Sequence, residues 1–293
     1  MEPSIAPTPE QDDAAPAPDR GTTTAELNAG SHPWHRFVAL GDSFTEGIGD
    51  PDPGSTGGHR GWADRVAEEL ARGQEDFAYA NLAVRGRLLH QIADQQVAPA
   101  LALRPDLVTI SAGGNDLLRP GGDPDLLAAG LDDVVATLAA SGATVVLLTG
   151  PDVRETVLGG LRSKTAIYNE NLRTIAARHD AVIADMWALR QLMNPQMWAP
   201  DRLHFSPLGH HTIALMVLDT LAVPHTLDPL EPNEPAPRTW RAARAEDLVW
   251  AREYFVPWVL RRIRRRSSGD GVLAKRPDAT PVFGPGMPPG TAH

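Results

Sequence analysis

Three residues in this chain have the side chains of a nucleophilic hydrolase. Ser43 follows an apolar run in the segment FVALGDSFTEG, and Asp201 and His204 lie together in the segment DRLH. A serine hydroxyl attacks well only when a base takes its proton, and histidine can do this near neutral pH. An aspartate that accepts a hydrogen bond from the other ring nitrogen fixes the tautomer of the imidazole. The three residues therefore predict a Ser-His-Asp catalytic triad.

Attack on an acyl carbonyl develops an oxyanion, which needs hydrogen-bond donors already in place. We expect three donors: the backbone N–H groups of Ser43 and Gly86 and the side-chain amide of Asn115. A glycine at position 86 lets the backbone approach a substrate closely. Ser43 has a competing interpretation as a helix cap, because Ser43 and Glu46 fit the capping-box pattern.

The elements that would position these residues alternate along the chain. Buried strands are predicted at 37–40, 77–83, 107–112, 144–150 and 181–185, and helices at about 59–73, 87–103, 123–141, 163–179 and 207–222. Strands and helices that alternate at this spacing predict a parallel sheet covered by helices on both faces. Ligands bind such sheets at the carboxyl ends of the strands. The candidate residues follow predicted strands or precede the last of these helices, so we expect them to converge.

Four segments occur in the order that distinguishes one enzyme family: GDS at 41–43, NLAVRG at 81–86, GGND at 113–116 and DRLH at 201–204. The region from about 36 to 222 thus resembles the SGNH hydrolases, also called the GDSL esterase/lipase family. Phe44 stands where the family motif has leucine, which we expect to change packing only. The G-x-S-x-G motif of ordinary α/β-hydrolases is absent.

This resemblance implies that Ser43, Gly86, Asn115 and His204 occupy the four family positions, with Asp201 as the triad acid. It implies a flavodoxin-like three-layer sandwich with a five-stranded parallel sheet of order 2-1-3-4-5. The implied activity is hydrolysis of carboxylic esters, with short-chain or acetylated small molecules as the expected substrates. An acyltransferase would use the same acyl-enzyme and differ only in whether water or an alcohol resolves it. In a catalytically silent ligand-binding domain, the alternative to an enzyme, we would expect the nucleophile, the base or the oxyanion donors to be replaced.

Other residues near these segments have structural interpretations. Asp42 is expected to order a turn, Asn81 to end a strand and Asp116 to cap a helix, while Arg85 and Arg87 are expected at the surface. A metal site formed by His204, His210 and His211 is the alternative to the triad. No H-E-x-x-H motif supports it, so we predict no metal and no cofactor.

Composition limits the class of protein. The chain has 293 residues, a formal charge of −10 and no cysteine. The absence of cysteine excludes disulfides and thiolate ligands and fits a cytoplasmic protein. The start of the sequence lacks the features of a secretory signal, which leads to the same expectation. The formal charge of −10 argues against nucleic-acid binding by the main body of the chain. No apolar segment is long enough to span a membrane.

The predicted organisation has five parts: a disordered tail (1–31), the hydrolase domain (32–223), a Pro-rich linker (224–238), a basic amphipathic helical segment (239–266) and a flexible tail (267–293). Residues 238–276 contain eleven basic and four acidic side chains. Trp250, Tyr254 and Trp258 recur at helical spacing, so they share one face. That face could dock on the body beside the active site or lie on an anionic membrane. This segment is basic and the rest of the chain is acidic, which favours docking. The sequence does not indicate an oligomeric state.

Overall fold

The computed structural model describes residues 32–72, 74–234, 240–257 and 268–283. The tail predicted to be disordered, residues 1–31, lies outside these ranges. Trp258 and the arginine-rich run at 261–266 lie outside them as well.

One six-stranded sheet forms the centre of the molecule. Its strands are β1 (Arg36–Gly41), β2 (Ala78–Asn81), β3 (Leu107–Ser111), β4 (Thr144–Leu148), β5 (Val182–Ala184) and β6 (Arg276–Pro281). Their spatial order is β5-β4-β3-β1-β2-β6. The first five strands are parallel and have the order expected of a flavodoxin-like fold, so this prediction is confirmed.

The sixth strand corrects the prediction of five strands, and it lies within the segment 267–293 that the sequence predicts to be a flexible tail. β6 pairs antiparallel with β2, with Tyr79 opposite Thr280. Its sequence, RPDATP, contains two prolines, which sheets tolerate at an edge because a proline cannot donate to the ladder. The Arg276 guanidinium lies 5.4 Å from the centroid of the Tyr79 ring. These contacts with distant residues stabilise β6, whose sequence alone gives little indication of a strand.

Helices cover both faces of the sheet. They are α1 (Ser43–Glu46), α2 (Gly61–Leu70), α3 (Leu89–Ile92), α4 (Ala98–Ala102), α5 (Gly114–Leu117), α6 (Pro124–Ala139), α7 (Arg162–His179), α8 (Pro207–Thr220) and α9 (Trp240–Trp250). A π-helical turn, Ala93–Val97, joins α3 to α4. A second, Ala251–Phe255, follows α9 just before Pro257, where the sequence predicts a kink. Within the described residues, no helix has the length and apolar run needed to cross a bilayer.

The core has two halves, one on each face of the sheet. Phe37 and Ala39 of β1 pack into the half that includes residues of α2 and α8. Val38 and Leu40 point to the opposite half, with residues of α6 and α7. A strand buried on both faces is typical of a parallel sheet covered by helices. The three-layer architecture therefore fixes the carboxyl ends of β1, β2 and β3 side by side.

Candidate active site

The structure brings Ser43, Asp201 and His204 together beyond the carboxyl end of β1. Ser43 is the first residue of α1, and His204 precedes α8. The His204 Nε2 atom lies 3.0 Å from the Ser43 Oγ atom, and its Nδ1 atom lies 2.5 Å from Oδ2 of Asp201. With the proton on Nδ1, the ring donates to the carboxylate and Nε2 is free to accept from the serine. This is the arrangement in which a histidine activates a serine hydroxyl.

Asp201 is held as an ionised carboxylate. Its Oδ1 atom accepts from the backbone N–H groups of Leu203 and His204, each at 3.0 Å. Burial raises the pKa of Asp201, but hydrogen bonds from the His204 ring and these N–H groups outweigh it and leave the pKa below its usual range. The same bonds fix the orientation of the carboxylate, because each oxygen has its own donors.

Residues 198–205 form the catalytic loop, which closes on itself. Trp198 and Phe205 are paired across its base as an isolated antiparallel bridge. The Ala199 N–H donates to the His204 carbonyl at 2.8 Å. Arg202, which follows Asp201, has a left-handed backbone with φ of 57°. A non-glycine residue in this region is strained by about 1 kcal/mol or more, so its surroundings must hold it there.

The three expected oxyanion donors are two backbone N–H groups, of Ser43 and Gly86, and the side-chain amide of Asn115. Ser43 begins α1, while Gly86 has φ of 73°, a conformation that glycine adopts readily. The Asn115 side-chain amide donates to Asp42 Oδ2 at 2.8 Å and to the Arg87 carbonyl at 3.2 Å. The amide is therefore oriented by two acceptors on the segments that also carry Ser43 and Gly86.

The cap of α1 is Asp42. One of its oxygens accepts from the Phe44 N–H at 3.0 Å, whereas the Ser43 hydroxyl faces His204. The capping-box interpretation of Ser43 is therefore wrong. Burial raises the pKa of Asp42 to about 6, against hydrogen bonds from Phe44 and Asn115 that lower it. Asp42 thus orders the turn, as expected, and connects the nucleophile segment to Asn115.

Comparison with known proteins identifies the family. The profile of the GDSL-like lipase/acylhydrolase family matches residues 39–212, more than half of the chain. The chain belongs to this family. The resemblance that the four sequence blocks carry is thereby confirmed, and the family places the chain among ester-cleaving hydrolases.

Individual relatives of this GDSL-family chain are distant. The uncharacterized protein YpmR of Bacillus subtilis is 33% identical over 89 residues, which are 28% of this chain and 32% of that protein. The chain therefore matches about a third of the length of this curated relative.

Solved structures show the same fold at low sequence identity. The structure of LAE5, an alpha/beta hydrolase enzyme from the metagenome of Lake Arreo, has a TM-score of 0.55 at 24% identity, covering 66% of this chain and 97% of that one. A catalytic mutant of Axe2, an acetylxylan esterase from Geobacillus stearothermophilus, gives 0.54 at 20%, covering 64% and 94%. TesA gives 0.54 at 23%, covering 64% and 97%.

In this GDSL-family chain, Glu46 and Arg85 connect α1, the helix that begins at Ser43, to the loop that contains Gly86. The Glu46 carboxylate is 4% exposed. It accepts from the Arg85 backbone N–H at 2.6 Å and from its Nε at 2.9 Å, with a further contact to Nη2. The sequence predicts Arg85 at the surface and gives no local signal of this connection, because Glu46 and Arg85 are 39 positions apart. The pair fixes where Gly86 lies relative to Ser43.

Asn81 and Asp116 have the structural roles that the sequence predicts. The Asn81 amide is fully buried and donates to the Thr45 carbonyl and to the Tyr79 hydroxyl, each at 2.9 Å. Asp116 accepts from the Leu89 N–H at 3.0 Å, at the start of α3. Through these hydrogen bonds both residues stabilise the segments that carry the site residues.

The three histidines considered for a metal site have separate partners. His204 contacts Ser43 and Asp201. The buried His210 accepts at Nδ1 from the Trp62 N–H and donates from Nε2 to the Ile48 carbonyl, whereas His211 donates to the Asp228 carbonyl. Across the ranges that the structure describes, no group of three or more His, Asp or Glu side chains is arranged to hold a metal ion.

A cavity of about 940 Å³ lies between the catalytic loop and the C-terminal helix α9. Its walls include Trp198 and Pro200 on the loop side and Val249, Trp250 and Tyr254 on the helix side. Ser43 and His204 are not among the residues that line it. The expected stripe of Trp250 and Tyr254 thus faces the hydrolase body, and Trp258 is outside the described residues.

Proposed function

We propose that this protein is a serine esterase that hydrolyses carboxylic esters of small molecules through an acyl-enzyme on Ser43. The observation that carries the proposal is the position of His204, whose two ring nitrogens lie 3.0 Å from the serine oxygen and 2.5 Å from the Asp201 carboxylate. The side chains needed for acyl transfer are present, and the GDSL family supports the reaction class.

The proposed reaction has two halves. His204 takes the proton of Ser43 as its Oγ atom attacks the carbonyl carbon. The imidazolium then protonates the leaving alcohol, the ester C–O bond breaks and the acyl group stays on the serine. In the second half His204 takes a proton from the water that attacks the acyl carbon. The imidazolium returns this proton to the Ser43 Oγ atom as the bond between that oxygen and the acyl carbon breaks and the carboxylic acid is released. Asp201 stabilises the imidazolium in both halves without accepting the proton itself.

The oxyanion of each half is proposed to accept from the Ser43 N–H, the Gly86 N–H and the Asn115 amide. The Asn115 N–H that points to the Arg87 carbonyl makes the longer of its two bonds, 3.2 Å, whereas the bond to Asp42 is 2.8 Å. We propose that the weaker bond is exchanged for the oxyanion, while Asp42 keeps the amide oriented.

Short-chain and acetyl esters are the proposed substrates. Support comes from the likeness of fold to Axe2, which is an acetylxylan esterase, and from the family. No metal or cofactor enters the proposed mechanism. A cytoplasmic location belongs to the same proposal and is supported by the absence of cysteine.

Hydrolysis of p-nitrophenyl acetate by the purified chain and by Ser43→Ala tests the function. We expect kcat of the variant to fall by about 10⁴-fold or more, because only the oxyanion donors and substrate binding remain. Ser141→Ala is the matched control, since this exposed serine lies between α6 and β4, at the amino ends of the strands and therefore at the edge of the sheet opposite the candidate site. Activity that persists in Ser43→Ala would overturn the proposal. Product ester formed when an alcohol is added would show acyl transfer instead of hydrolysis.

A further inference from the structure

The helix α9 contacts the catalytic loop at Asp201 and at Arg202, the residue that follows it. The indole Nε1 of Trp250 donates to the backbone carbonyl of Asp201 at 2.8 Å. The Asp247 carboxylate accepts from Arg202 Nη1 at 2.7 Å. The Arg202 guanidinium also lies 5.1 Å from the centroid of the Trp250 ring, within the range of a cation–π contact. Two residues of α9 therefore hold two consecutive residues of the loop.

The loop has a reason to need this support. Arg202 has a positive φ of 57°, and a strained residue persists only where its surroundings determine its conformation. The carbonyl that Trp250 binds belongs to Asp201, the residue just before this strained position. A change in the Arg202 backbone would move the Asp201 carboxylate relative to His204. Catalytic geometry tolerates little displacement, since a shift of about 1 Å can lower a rate by about 100-fold.

The contact is polar and directed, which distinguishes it from ordinary core packing. Leu248 and Val249 of α9 are 73% and 53% exposed, so burial of these two apolar side chains does not hold the helix in position. The groups that meet the catalytic loop are an indole N–H and a carboxylate instead. Their partners are a carbonyl oxygen and a guanidinium, each in hydrogen-bonding geometry.

We propose that α9 is a positioning element of the active site. Trp250 and Asp247 hold the backbone of Asp201 and Arg202 so that the Asp201 carboxylate keeps His204 directed at Ser43. Neither residue touches the reacting atoms, so both are positioning residues. The inference rests on the proposed function, because it assigns a role relative to the triad.

The variant Trp250→Phe is the sharpest test, because it keeps a ring beside Arg202 and removes the N–H donor. We expect kcat for p-nitrophenyl acetate to fall by about five- to tenfold, as for loss of one hydrogen bond that acts on the loop, with KM changed less than twofold. Leu248→Ala is the matched control on the same helix and should keep the wild-type kcat. Asp247→Ala should resemble Trp250→Phe, and Asp247→Glu should recover part of the loss.

Amide hydrogen exchange gives a second readout that does not depend on activity. The Leu203 and His204 N–H groups donate to the Asp201 carboxylate, so their exchange reports the order of the catalytic loop. We expect faster exchange in a peptide covering residues 199–206 of Trp250→Phe, and unchanged exchange in Leu248→Ala.

The outcomes separate this inference from the proposed function. An inactive wild type, or an active Ser43→Ala, would refute the function, whereas the exchange experiment would still show whether α9 orders the loop. An active wild type with unchanged kcat and exchange in Trp250→Phe would overturn the positioning role. Equal losses in Trp250→Phe and Leu248→Ala, or a lower melting temperature with unchanged kcat, would overturn it too, because either result indicates general stabilisation by the helix.

Discussion

Replacement of Asp201 by Asn tests the triad at a single hydrogen bond. The Oδ1 position accepts from two backbone N–H groups, those of Leu203 and His204, so the amide oxygen of the new residue must stay there. Its NH₂ group then takes the Oδ2 position, 2.5 Å from His204 Nδ1 in the native chain. Because this NH₂ group donates, His204 Nδ1 must accept, and the ring proton moves to Nε2. The tautomer that results cannot take the proton of Ser43.

The expected loss follows from this change of tautomer. The variant keeps the shape of the site and the oxyanion donors, but the base is present in its unproductive form. For the same substitution in a serine protease triad kcat falls about 10⁴-fold, which corresponds to about 5.4 kcal/mol of transition-state stabilisation at 1.36 kcal/mol for each tenfold. We expect a loss of this order for Asp201→Asn, with KM changed little.

Steady-state kinetics with p-nitrophenyl acetate measures the effect, and Asp228→Asn serves as the control. Asp228 is exposed, and its contact within the described part of the chain is through its backbone carbonyl, which accepts from His211. Circular dichroism and a melting curve show whether each variant is folded. A kcat within tenfold of the wild type, or an effect confined to KM, would refute the role of Asp201 in fixing the His204 tautomer.

Two further predictions concern an oxyanion donor and a buried histidine. For Asn115→Ala we expect kcat to fall by about 10²- to 10³-fold with little change in KM; a rise in KM alone would instead make Asn115 a substrate-positioning residue. Burial lowers the pKa of His210 to about 4, so between that value and the usual one near 6.5 the unfolded chain binds a proton that the folded chain does not. Stability therefore falls as the pH falls through this window, and His210→Gln should reduce the dependence in urea unfolding at pH 7, 6 and 5. The same pH slope in both proteins would contradict this explanation.

Much of the fold could be predicted because its signals are local. Each core strand is a short apolar run, and the rule that ligands bind at the carboxyl ends of parallel strands placed Ser43 and Asn115 at one edge. The four family blocks supplied the order of the site residues. A four-residue pattern such as DRLH at 201–204 carries this information because its side chains act within one loop.

The parts that sequence could not supply depend on contacts between distant residues. β6 lacks the alternation of a strand, and its position depends on pairing with β2 and on Lys275. The Lys275 ammonium is nearly buried and donates to the carbonyls of His59 and Arg60 and to the Asp64 carboxylate. The Glu46–Arg85 pair and the Trp250 contact with Asp201 likewise join segments that are far apart in the chain. The helical spacing of Trp250 and Tyr254 could be recognised in the sequence, but the Asp201 carbonyl that accepts from Trp250 could not.

The central claim is that Ser43 is the nucleophile activated by His204, and covalent trapping tests it most directly. A fluorophosphonate ester reacts with an activated serine by losing fluoride and forming a stable phosphonyl ester on its oxygen. Mass spectrometry of the digested adduct should locate one modification per chain on the peptide that contains Ser43. The modification should be absent in Ser43→Ala and much slower in His204→Ala. Stoichiometric labelling of a different residue, or no labelling of a preparation that hydrolyses the ester, would contradict the account.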